Sequence, residues 1–372
     1  MLPSQLRKLK AGIVAVYMSG VAQSMACIPV PTFTEESCVS GPPPAERALE
    51  ATCEARLVDA FEDSSFDSVV IMDGETVIFR AGDSLAPSNI ASVRKSVVSV
   101  LFGMAADRGQ IGLDDTLDEL GIDDATNPLT DAEKKATVRQ IMQARSGVNL
   151  PALGQDWPNA ERGAHAPGET FWYKNWDFNV LSTIFEQEVG RALEEATMDW
   201  LAAPLGMQTF CADHLRYEQR DTVSEHRMYR YYMNAEDLAL IGALVSNGGQ
   251  WGGEQLLSTE WIEESLSPIS DLADLHNQFP PSNSDEPSFY DGYGYMWWTQ
   301  TETGYIFADG AEGQRVLVDR ASGFTSVGRN NSGNSFAGEA WYWIGQYQAL
   351  SDESHVSPEL RDLHEIALEC AQ

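Results

Sequence analysis

The spacing of apolar residues changes along the chain, from period two near both ends to helical spacing in the middle. Residues 68–72 and 76–81 are rich in β-branched residues and flank an Asp-Gly-Glu turn, which predicts a β-hairpin. After residue 284 the pattern predicts strands at residues 292–298, 304–308, 314–319 and 323–327, followed by a closing helix at 359–370. Strand-forming segments are therefore expected at both ends of the chain.

Between these ends, helical spacing predominates from about residue 109 to 285, interrupted by long loops. Helices are predicted at residues 136–144, 177–189, 235–246 and 258–266, with another at 45–61 before the hairpin. The predicted fold is α+β: an antiparallel sheet flanked by N- and C-terminal helices, with a mainly helical region inserted. The predicted sheet domain comprises residues 46–108 and 286–372, the helical domain residues 109–285, and a cleft is expected where they meet.

One predicted helix carries candidate chemistry at its start. Ser92 stands at the N-terminus of an apolar helical run, and Lys95 follows one turn later on the same face. A serine hydroxyl is a weak nucleophile at neutral pH and needs a base nearby. An unprotonated lysine can be that base if burial and neighbouring positive charge lower its pKa. The same spacing also fits an ordinary N-cap serine with a solvated lysine, so both interpretations stay open.

Charge and motif content exclude several functional classes. The chain has 56 acidic and 24 basic residues, a formal net charge of -32, so its surface would repel nucleic acids and anionic membranes. The sequence contains no HExxH, Walker or GxSxG motif and no zinc-type spacing of cysteine and histidine. A metalloprotease, an NTPase and an α/β-hydrolase are thereby disfavoured, and neither a metal nor a cofactor is expected.

The N-terminal region has the pattern of an export signal. Residues 1–26 combine a basic start, a short apolar core and a Ser-Met-Ala cleavage site, and residues 27–45 form a proline-rich irregular leader. The protein is therefore expected to be periplasmic or secreted, with lipid attachment at Cys27 or an uncleaved signal anchor as alternatives. Disulfides are plausible in such a compartment, but the sequence leaves the pairing open among Cys27, Cys38, Cys53, Cys211 and Cys370.

Three short segments occur in the order found in one enzyme superfamily. They read Ser-Val-Arg-Lys at residues 92–95, Phe-Trp-Tyr-Lys-Asn at 171–175 and Gly-Ala-Glu-Gly-Gln at 310–314. With these motifs, residues 60–350 resemble the serine β-lactamase-like superfamily: class C β-lactamases, D-alanyl-D-alanine carboxypeptidases, family VIII-type esterases and aminohexanoate-oligomer hydrolases. The resemblance implies the β-lactamase/transpeptidase fold and a serine hydrolase that works through an acyl-enzyme.

The resemblance also implies a role for each motif residue. Ser92 would be the acylated nucleophile, and Lys95 and Tyr173 would share proton transfer. Asn175 would orient the substrate or Lys95, and the backbone N–H groups of Ser92 and Ala311 would form the oxyanion hole. The chemistry is consistent with this, since a cation beside a tyrosine can lower its pKa and allow it to accept a proton.

Several neighbouring residues have competing interpretations. Tyr232 and Asn234 form a second Tyr-x-Asn, but Asn234 precedes a predicted helix and is expected to be its N-cap. Lys174 is expected to be solvated, and Arg94 and Arg145 to form structural ion pairs. Four tryptophans are candidates either for lining the cleft or for ordinary core positions: Trp172, Trp176, Trp297 and Trp298.

The late strand departs from the superfamily pattern. Residues 308–310 read Ala-Asp-Gly where class C β-lactamases and carboxypeptidases carry Lys-Thr-Gly, so a substrate carboxylate loses a charge-assisted partner and Asp309 adds negative charge. The predicted substrate is a neutral small-molecule ester or amide. β-Lactamase or D-alanyl-D-alanine carboxypeptidase activity stays open if Arg145 or Arg315 replaces that lysine. The remaining alternative is a catalytically silent binding module.

Overall fold

The computed structural model describes residues 38–155, 159–268, 290–330 and 358–371. The predicted signal peptide, Cys27 and most of the predicted leader lie outside the described residues. The strands are β1 (Ala45–Glu46), β2 (Ser68–Asp73), β3 (Thr76–Gly82), β4 (Ser88–Asn89), β5 (Leu215–Arg220), β6 (Ser224–Met233), β7 (Gln250–Trp251), β8 (Glu254–Gln255), β9 (Gly292–Tyr293), β10 (Trp298–Gln300), β11 (Tyr305–Gly310), β12 (Gln314–Asp319) and β13 (Phe324–Arg329).

The described helices lie mostly between and around these strands. They are α1 (Ala51–Asp63), α2 (Val93–Asp107), α3 (Val138–Met142), α4 (Asn175–Val189), α5 (Leu193–Ala196), α6 (Ala203–Leu205), α7 (Ala235–Ser246), α8 (Thr259–Leu266) and α9 (Pro358–Ala371). Short 3-10 turns occur at Glu133–Lys135 and Ala212–His214, and a π-helical turn at Thr197–Ala202. Among the helices described, none combines the length and apolar character needed to cross a membrane.

The largest sheet within the described ranges draws its strands from both ends of the chain. Its eight strands run in the order β1-β3-β2-β13-β12-β11-β10-β9. The short β1 pairs parallel with β3, and every other neighbouring pair in this sheet is antiparallel. The Asp-Gly turn joins β2 to β3, with Gly74 at a φ of 55° that glycine adopts without strain. The predicted α+β fold class, with its antiparallel sheet and inserted helical region, is confirmed.

Helices cover both faces of this sheet. On one face α7 packs so closely that a Cβ on Gly242 would lie 2.4 Å from Cγ2 of Thr325. On the other face α9 packs against β13, where Nδ1 of His364 lies 2.8 Å from Oγ of Ser326. Because consecutive residues of a strand point to opposite faces, Thr325 and Ser326 place the sheet between the two helices. The buried α2 runs beside β11 and β12, which brings its first turn to the end of β11.

The sequence-based element predictions need three corrections. The helix predicted at residues 45–61 begins only at Ala51, after the short strand β1. The strand predicted at residues 292–298 is two short strands, because the chain turns between them with Met296 at a φ of 62°. The region predicted as mainly helical contains the β5–β6 hairpin, which joins β4 in a second sheet.

The structure also pairs the described cysteines. Cys38 bonds to Cys211, and Cys53 bonds to Cys370 across a sequence separation of 317 residues. The second bond ties α1 to α9, the two helices on one face of the large sheet. Closing so long a loop restricts the unfolded chain, which is how a disulfide stabilises a fold in the chain-entropy account.

Candidate active site

Ser92 occupies the N-cap position of α2, but its side chain does not cap the helix. The residue stands at the N-cap of the helix, and its hydroxyl makes no capping hydrogen bond. Instead, Oγ of Ser92 lies 2.6 Å from Nζ of Lys95, one turn further along. Of the two interpretations open from the sequence, an ordinary capping serine beside a solvated lysine does not match this arrangement.

Lys95 is held in a dry, aromatic environment. It is 2 % exposed, and Nζ lies 2.7 Å from Oη of Tyr173 and 4.7 Å from the ring centroid of Phe178. Burial, together with the positive charge of neighbouring Arg94, lowers the pKa of Lys95 well below its usual value. A neutral amine 2.6 Å from a serine hydroxyl is placed to accept the proton of that hydroxyl.

Tyr173 has the opposite electrostatic behaviour from the one expected. Burial raises the pKa of Tyr173 to about 12, although its hydrogen bond with Ser92 and the charge of Arg94 act in the lowering direction. The expectation that a neighbouring cation would lower the pKa of Tyr173 was therefore wrong, since desolvation outweighs the cation. Tyr173 is neutral near pH 7, so it is suited to donating or relaying a proton, while Lys95 is the stronger candidate base.

The end of β11 lies directly against the first turn of α2. A Cβ on Gly310 would lie 2.7 Å from the carbonyl oxygen of Ile90 and 3.0 Å from the amide nitrogen of Ser92, so only glycine fits this approach. Ala311 follows immediately, and within the described residues neither its backbone N–H nor that of Ser92 donates to another backbone group. Two unpaired donors close together at a helix N-terminus suit a developing oxyanion.

Asn175 contacts the loop beside the site. Its backbone N–H donates to Oε1 of Gln155 at 2.7 Å, and its Nδ2 donates to the carbonyl oxygen of Gly154. None of its hydrogen bonds in the described part of the chain reaches Lys95, so a role in orienting substrate stays a prediction. Gly154 and Gln155 also line an open cavity of about 410 Å³, together with Pro151, Ala152, Leu153, Asn159, Arg220 and Val223.

Comparison with known proteins agrees with this geometry. The model of the Beta-lactamase family matches residues 57–348, more than three quarters of the chain. The chain belongs to the beta-lactamase family. The 6-aminohexanoate-dimer hydrolase of Paenarthrobacter ureafaciens is 25% identical to this family member over 316 residues, which cover 74% of this chain and 72% of that protein.

Solved structures with the same fold have low sequence identity to this protein. A penicillin-binding protein homologue from Caulobacter crescentus is 15% identical, with a TM-score of 0.58, over 87% of this chain and 99% of its own. An octameric penicillin-binding protein homologue from Pyrococcus abyssi is 16% identical, with a TM-score of 0.54, over 84% of this chain and 79% of its own. These likenesses establish the fold that the motifs indicated.

Lys174, between Tyr173 and Asn175, was expected to be solvated, but its side chain is buried. Its Nζ lies 3.1 Å from Oδ2 of Asp177, and both side chains are 0% exposed. Ser146 donates a hydrogen bond of 2.6 Å to the other carboxylate oxygen of Asp177, which links the end of the α3 segment to the start of α4. Lys174 is the N-cap residue of α4, so its side chain turns inward beside the first helical turn. This ion pair fixes the backbone that follows Tyr173, and Nζ of Lys174 also donates to the carbonyl oxygen of Trp172, just before Tyr173, at 3.3 Å.

Breaking the buried pair of Lys174 and Asp177 should lower the stability of the protein substantially. Lys174→Met leaves the Asp177 carboxylate buried without its cation, and we expect about 3–5 kcal/mol lower free energy of unfolding by denaturant titration. The matched control is Lys135→Met, because Lys135 pairs with Asp118 at 3.5 Å on the surface, with side-chain exposures of 67% and 59%. The control should leave stability almost unchanged. Equal losses from both substitutions would contradict the structural importance of the buried pair.

The other residues with competing interpretations separate clearly. Trp176, Trp297 and Trp298 are all buried in the core, and Trp298 also stacks on Tyr173 with ring centroids 5.5 Å apart. Asn234 caps α7 by accepting from the N–H of Asp237, as expected. Trp172 is partly exposed and stacks on His165 with ring centroids 6.2 Å apart.

Arg94 and Arg145, the two arginines expected in structural ion pairs, contact an aromatic ring and backbone carbonyl oxygens. The guanidinium of Arg94 lies 5.3 Å from the ring centroid of Tyr229 and donates to the carbonyl oxygen of Ala91 at 3.1 Å. Arg145 donates to the backbone carbonyl oxygens of Gly168 and Glu169. Arg145 therefore supports the loop that precedes Tyr173 and makes no ion pair within the described residues.

The late strand places a charged pair beside the site. Ala308 is 1% exposed, so a side chain at this position points into the core. Asp309 is paired with Arg315, whose Nε lies 3.1 Å from Oδ1 of Asp309. Asp309 was expected to add negative charge here, and Arg315 balances that charge; of the two basic residues considered, Arg315 is the one that lies here.

Two other clusters of reactive residue types have structural explanations. Cys211, Asp213 and His214 are the cluster within the described residues that could hold a metal ion, but Cys211 is bonded to Cys38 and so has no thiolate to offer. His364 of α9 lies against Ser326 and Asp319 of the sheet, and Ser326 and His364 are both 0% exposed. This arrangement joins α9 to the sheet.

Proposed function

We propose that this protein is a serine hydrolase that cleaves a neutral ester or amide through an acyl-enzyme on Ser92. The observation that carries the proposal is the buried contact between Ser92 and Lys95, with Oγ and Nζ 2.6 Å apart and Tyr173 on the other side of the amine. A lysine whose pKa is well below its usual value is what an Oγ nucleophile requires at neutral pH. Membership of the beta-lactamase family and the 25% identical hydrolase support hydrolysis as the reaction class.

The proposed acylation moves one proton and forms one covalent bond. Neutral Lys95 accepts the hydroxyl proton of Ser92 as Oγ attacks the substrate carbonyl carbon. The tetrahedral oxyanion accepts hydrogen bonds from the N–H groups of Ser92 and Ala311. Tyr173 donates its proton to the leaving alkoxide or amine and takes the proton back from the ammonium of Lys95. In deacylation, water loses a proton to the same pair, and the acid product leaves with Ser92 restored.

Labelling and turnover together test this proposal. A fluorophosphonate probe should add one adduct to the protein, located on Ser92 by peptide mass spectrometry, and Ser92→Ala should not be labelled. A panel of short-chain p-nitrophenyl esters, anilides, nitrocefin, benzylpenicillin and D-Ala-D-Ala peptides then defines the substrate. We expect a higher kcat/KM for the neutral esters than for nitrocefin or benzylpenicillin. Absence of both labelling at Ser92 and turnover of any compound would favour the silent binding module of the same fold.

Replacing Tyr173 by phenylalanine tests the proton relay. The ring and its stacking on Trp298 are kept, while the hydroxyl beside Lys95 is lost, so we expect kcat to fall about 10²–10⁴-fold. The matched control is Tyr232→Phe in the second Tyr-x-Asn, which should change kcat far less. A larger effect from Tyr232→Phe than from Tyr173→Phe would mean that the proton relay is assigned to the wrong tyrosine.

We also propose that the protein is exported. The basic start, apolar core and cleavage site of residues 1–26 support this, and so do the two disulfides, which persist in oxidising compartments. The mature chain is expected to begin near Cys27. N-terminal sequencing of protein recovered from outside the cytoplasm checks this, and material that still begins at Met1 would contradict cleavage.

A further inference from the structure

We propose that Asp309 and Arg315 form a charge-selecting site beside Tyr173, in which Asp309 covers Arg315 and restricts the enzyme to substrates that are uncharged at this position. Removing the charge of Asp309 would convert Arg315 into a receptor for a carboxylate. This inference rests on the proposed function, because it states which substrates the same active site accepts. Its test includes a binding measurement that requires no turnover.

The pair is part of the sheet and is almost dry. Asp309 and Arg315 face each other across the β11–β12 register, with side-chain exposures of 11% and 7%. Oδ1 of Asp309 accepts from Nε of Arg315 at 3.1 Å, and Oδ2 accepts from Oη of Tyr290 at 3.0 Å. Both carboxylate oxygens thus have partners, and the two charges cancel at close range.

A stack of aromatic rings connects this pair to the catalytic tyrosine. Tyr290 stacks on Trp298 with ring centroids 5.0 Å apart, and Trp298 stacks on Tyr173 at 5.5 Å. The charge of Asp309 acts, after burial, to raise the pKa of Tyr173. Asp309 is also two residues before Ala311, the proposed oxyanion donor, on the same stretch of chain.

One nitrogen of the Arg315 guanidinium has N–H groups that donate no hydrogen bond within the described residues. Its Nη1 is buried and has no hydrogen-bond partner in the described part of the chain. An unpaired buried donor is costly, so a carbonyl or hydroxyl oxygen of a bound substrate would gain a hydrogen bond here. An anionic group would gain the same bond but meet the repulsion of Asp309, and a cationic group would meet the repulsion of Arg315. A neutral polar group meets neither, which gives the selectivity.

A matched pair of ligands measures this selectivity without catalysis. In a Ser92→Ala background, calorimetry compares the binding of phenylacetate with that of phenylacetamide, which differ in charge and little in shape. Adding Asp309→Asn keeps the size of the side chain and removes its charge, so the affinity for phenylacetate should rise about tenfold relative to the amide. Adding Arg315→Gln to that variant should abolish the gain. An unchanged affinity ratio, or a gain that survives Arg315→Gln, would overturn the proposal.

Two further variants guard against indirect effects. Asp59→Asn removes the same charge from the exposed surface of α1 and should leave the affinity ratio unchanged, which excludes an effect of net charge alone. Asp309→Thr provides a second route if thermal melting shows that Asp309→Asn does not fold. The ratio should shift in the same direction with threonine, and a folded Asp309→Thr variant with the wild-type ratio would also count against the proposal.

Turnover separates this inference from the proposed function. With Ser92 restored, p-nitrophenyl butyrate and mono-p-nitrophenyl succinate offer the same leaving group on a neutral and an anionic acyl chain. Asp309→Asn should raise kcat/KM for the succinate relative to the butyrate by about tenfold. Failure of the wild type to hydrolyse either ester would contradict the proposed function, while the binding comparison would still decide the role of Asp309 and Arg315.

Discussion

Replacing Ser92 by alanine is expected to lower ester turnover by about 10⁴-fold or more while the protein stays folded. The substitution removes the oxygen that forms the covalent bond and that lies 2.6 Å from Nζ of Lys95. The hydroxyl makes no capping hydrogen bond, so its loss should leave the stability of α2 nearly unchanged. Steady-state kinetics and a denaturant titration measure the two effects separately.

The same helix supplies a matched control for this prediction. Ser99 lies two turns further along α2, is 0% exposed, and its hydroxyl has no hydrogen-bond partner within the described residues. Ser99→Ala removes the same atom from the same helix, and it should leave kcat close to the wild-type value. If Ser92→Ala retained more than about a hundredth of the wild-type activity, Ser92 would be removed from the mechanism.

Local patterns predicted the elements that place the nucleophile. Helix α7 was predicted with its observed bounds, because its apolar run begins at the capping Asn234 and ends at residues 247–249, Asn-Gly-Gly. The β2–β3 hairpin followed from the Asp-Gly turn between β-branched segments. The three-residue spacing of Ser92 and Lys95 implied neighbouring side chains on one helix face. These signals are short-range, so one sequence is sufficient to find them.

The β5–β6 hairpin was missed because its alternation is unusual. Along β6 the more exposed positions include Arg227, Arg230 and Tyr232, whereas the buried ones include His226 and Tyr231. Polar and aromatic residues on both faces hide the period of two, which hydrophobicity alone would otherwise reveal. Counting tyrosine and histidine as buried types does not restore the alternation, because Met228 and Tyr229 are consecutive and both buried.

Charges beside the site were harder to predict than the site itself. Lys174 was expected in solvent because it points the opposite way from its neighbours in an extended stretch, yet Asp177 stands three residues later and holds it in the core. The pKa of Tyr173 depends on burial and on charges from α2 and β11, and the pairing of Asp309 with Arg315 depends on strand register. Burial and register are long-range properties, so the sequence named these residues without revealing their environment.

Substituting Lys95 by methionine is expected to reduce kcat by about 10³–10⁴-fold, because the apolar stem is kept and the proton acceptor is lost.

The pH dependence of wild-type kcat/KM should also report on Lys95. Activity needs neutral Lys95, so kcat/KM should rise with pH as this amine loses its proton. Since burial and Arg94 lower the pKa of Lys95, that rise should be complete well below the usual lysine pKa of about 10.4.

Substituting Arg94 should shift the pH at which kcat/KM rises. Arg94→Met removes the neighbouring cation, so the pKa of Lys95 should increase and the rise in kcat/KM should shift to higher pH, with activity recovering at alkaline pH. The matched control is Arg108→Met at the other end of α2. At the helical rise of about 1.5 Å per residue, Arg108 is about 20 Å from Lys95, a distance at which salt screens the interaction between the two charges. This control should leave the limb in place. If Arg94→Met also left it in place, the group that titrates in the profile would not be Lys95, and the base in acylation would have to be sought elsewhere.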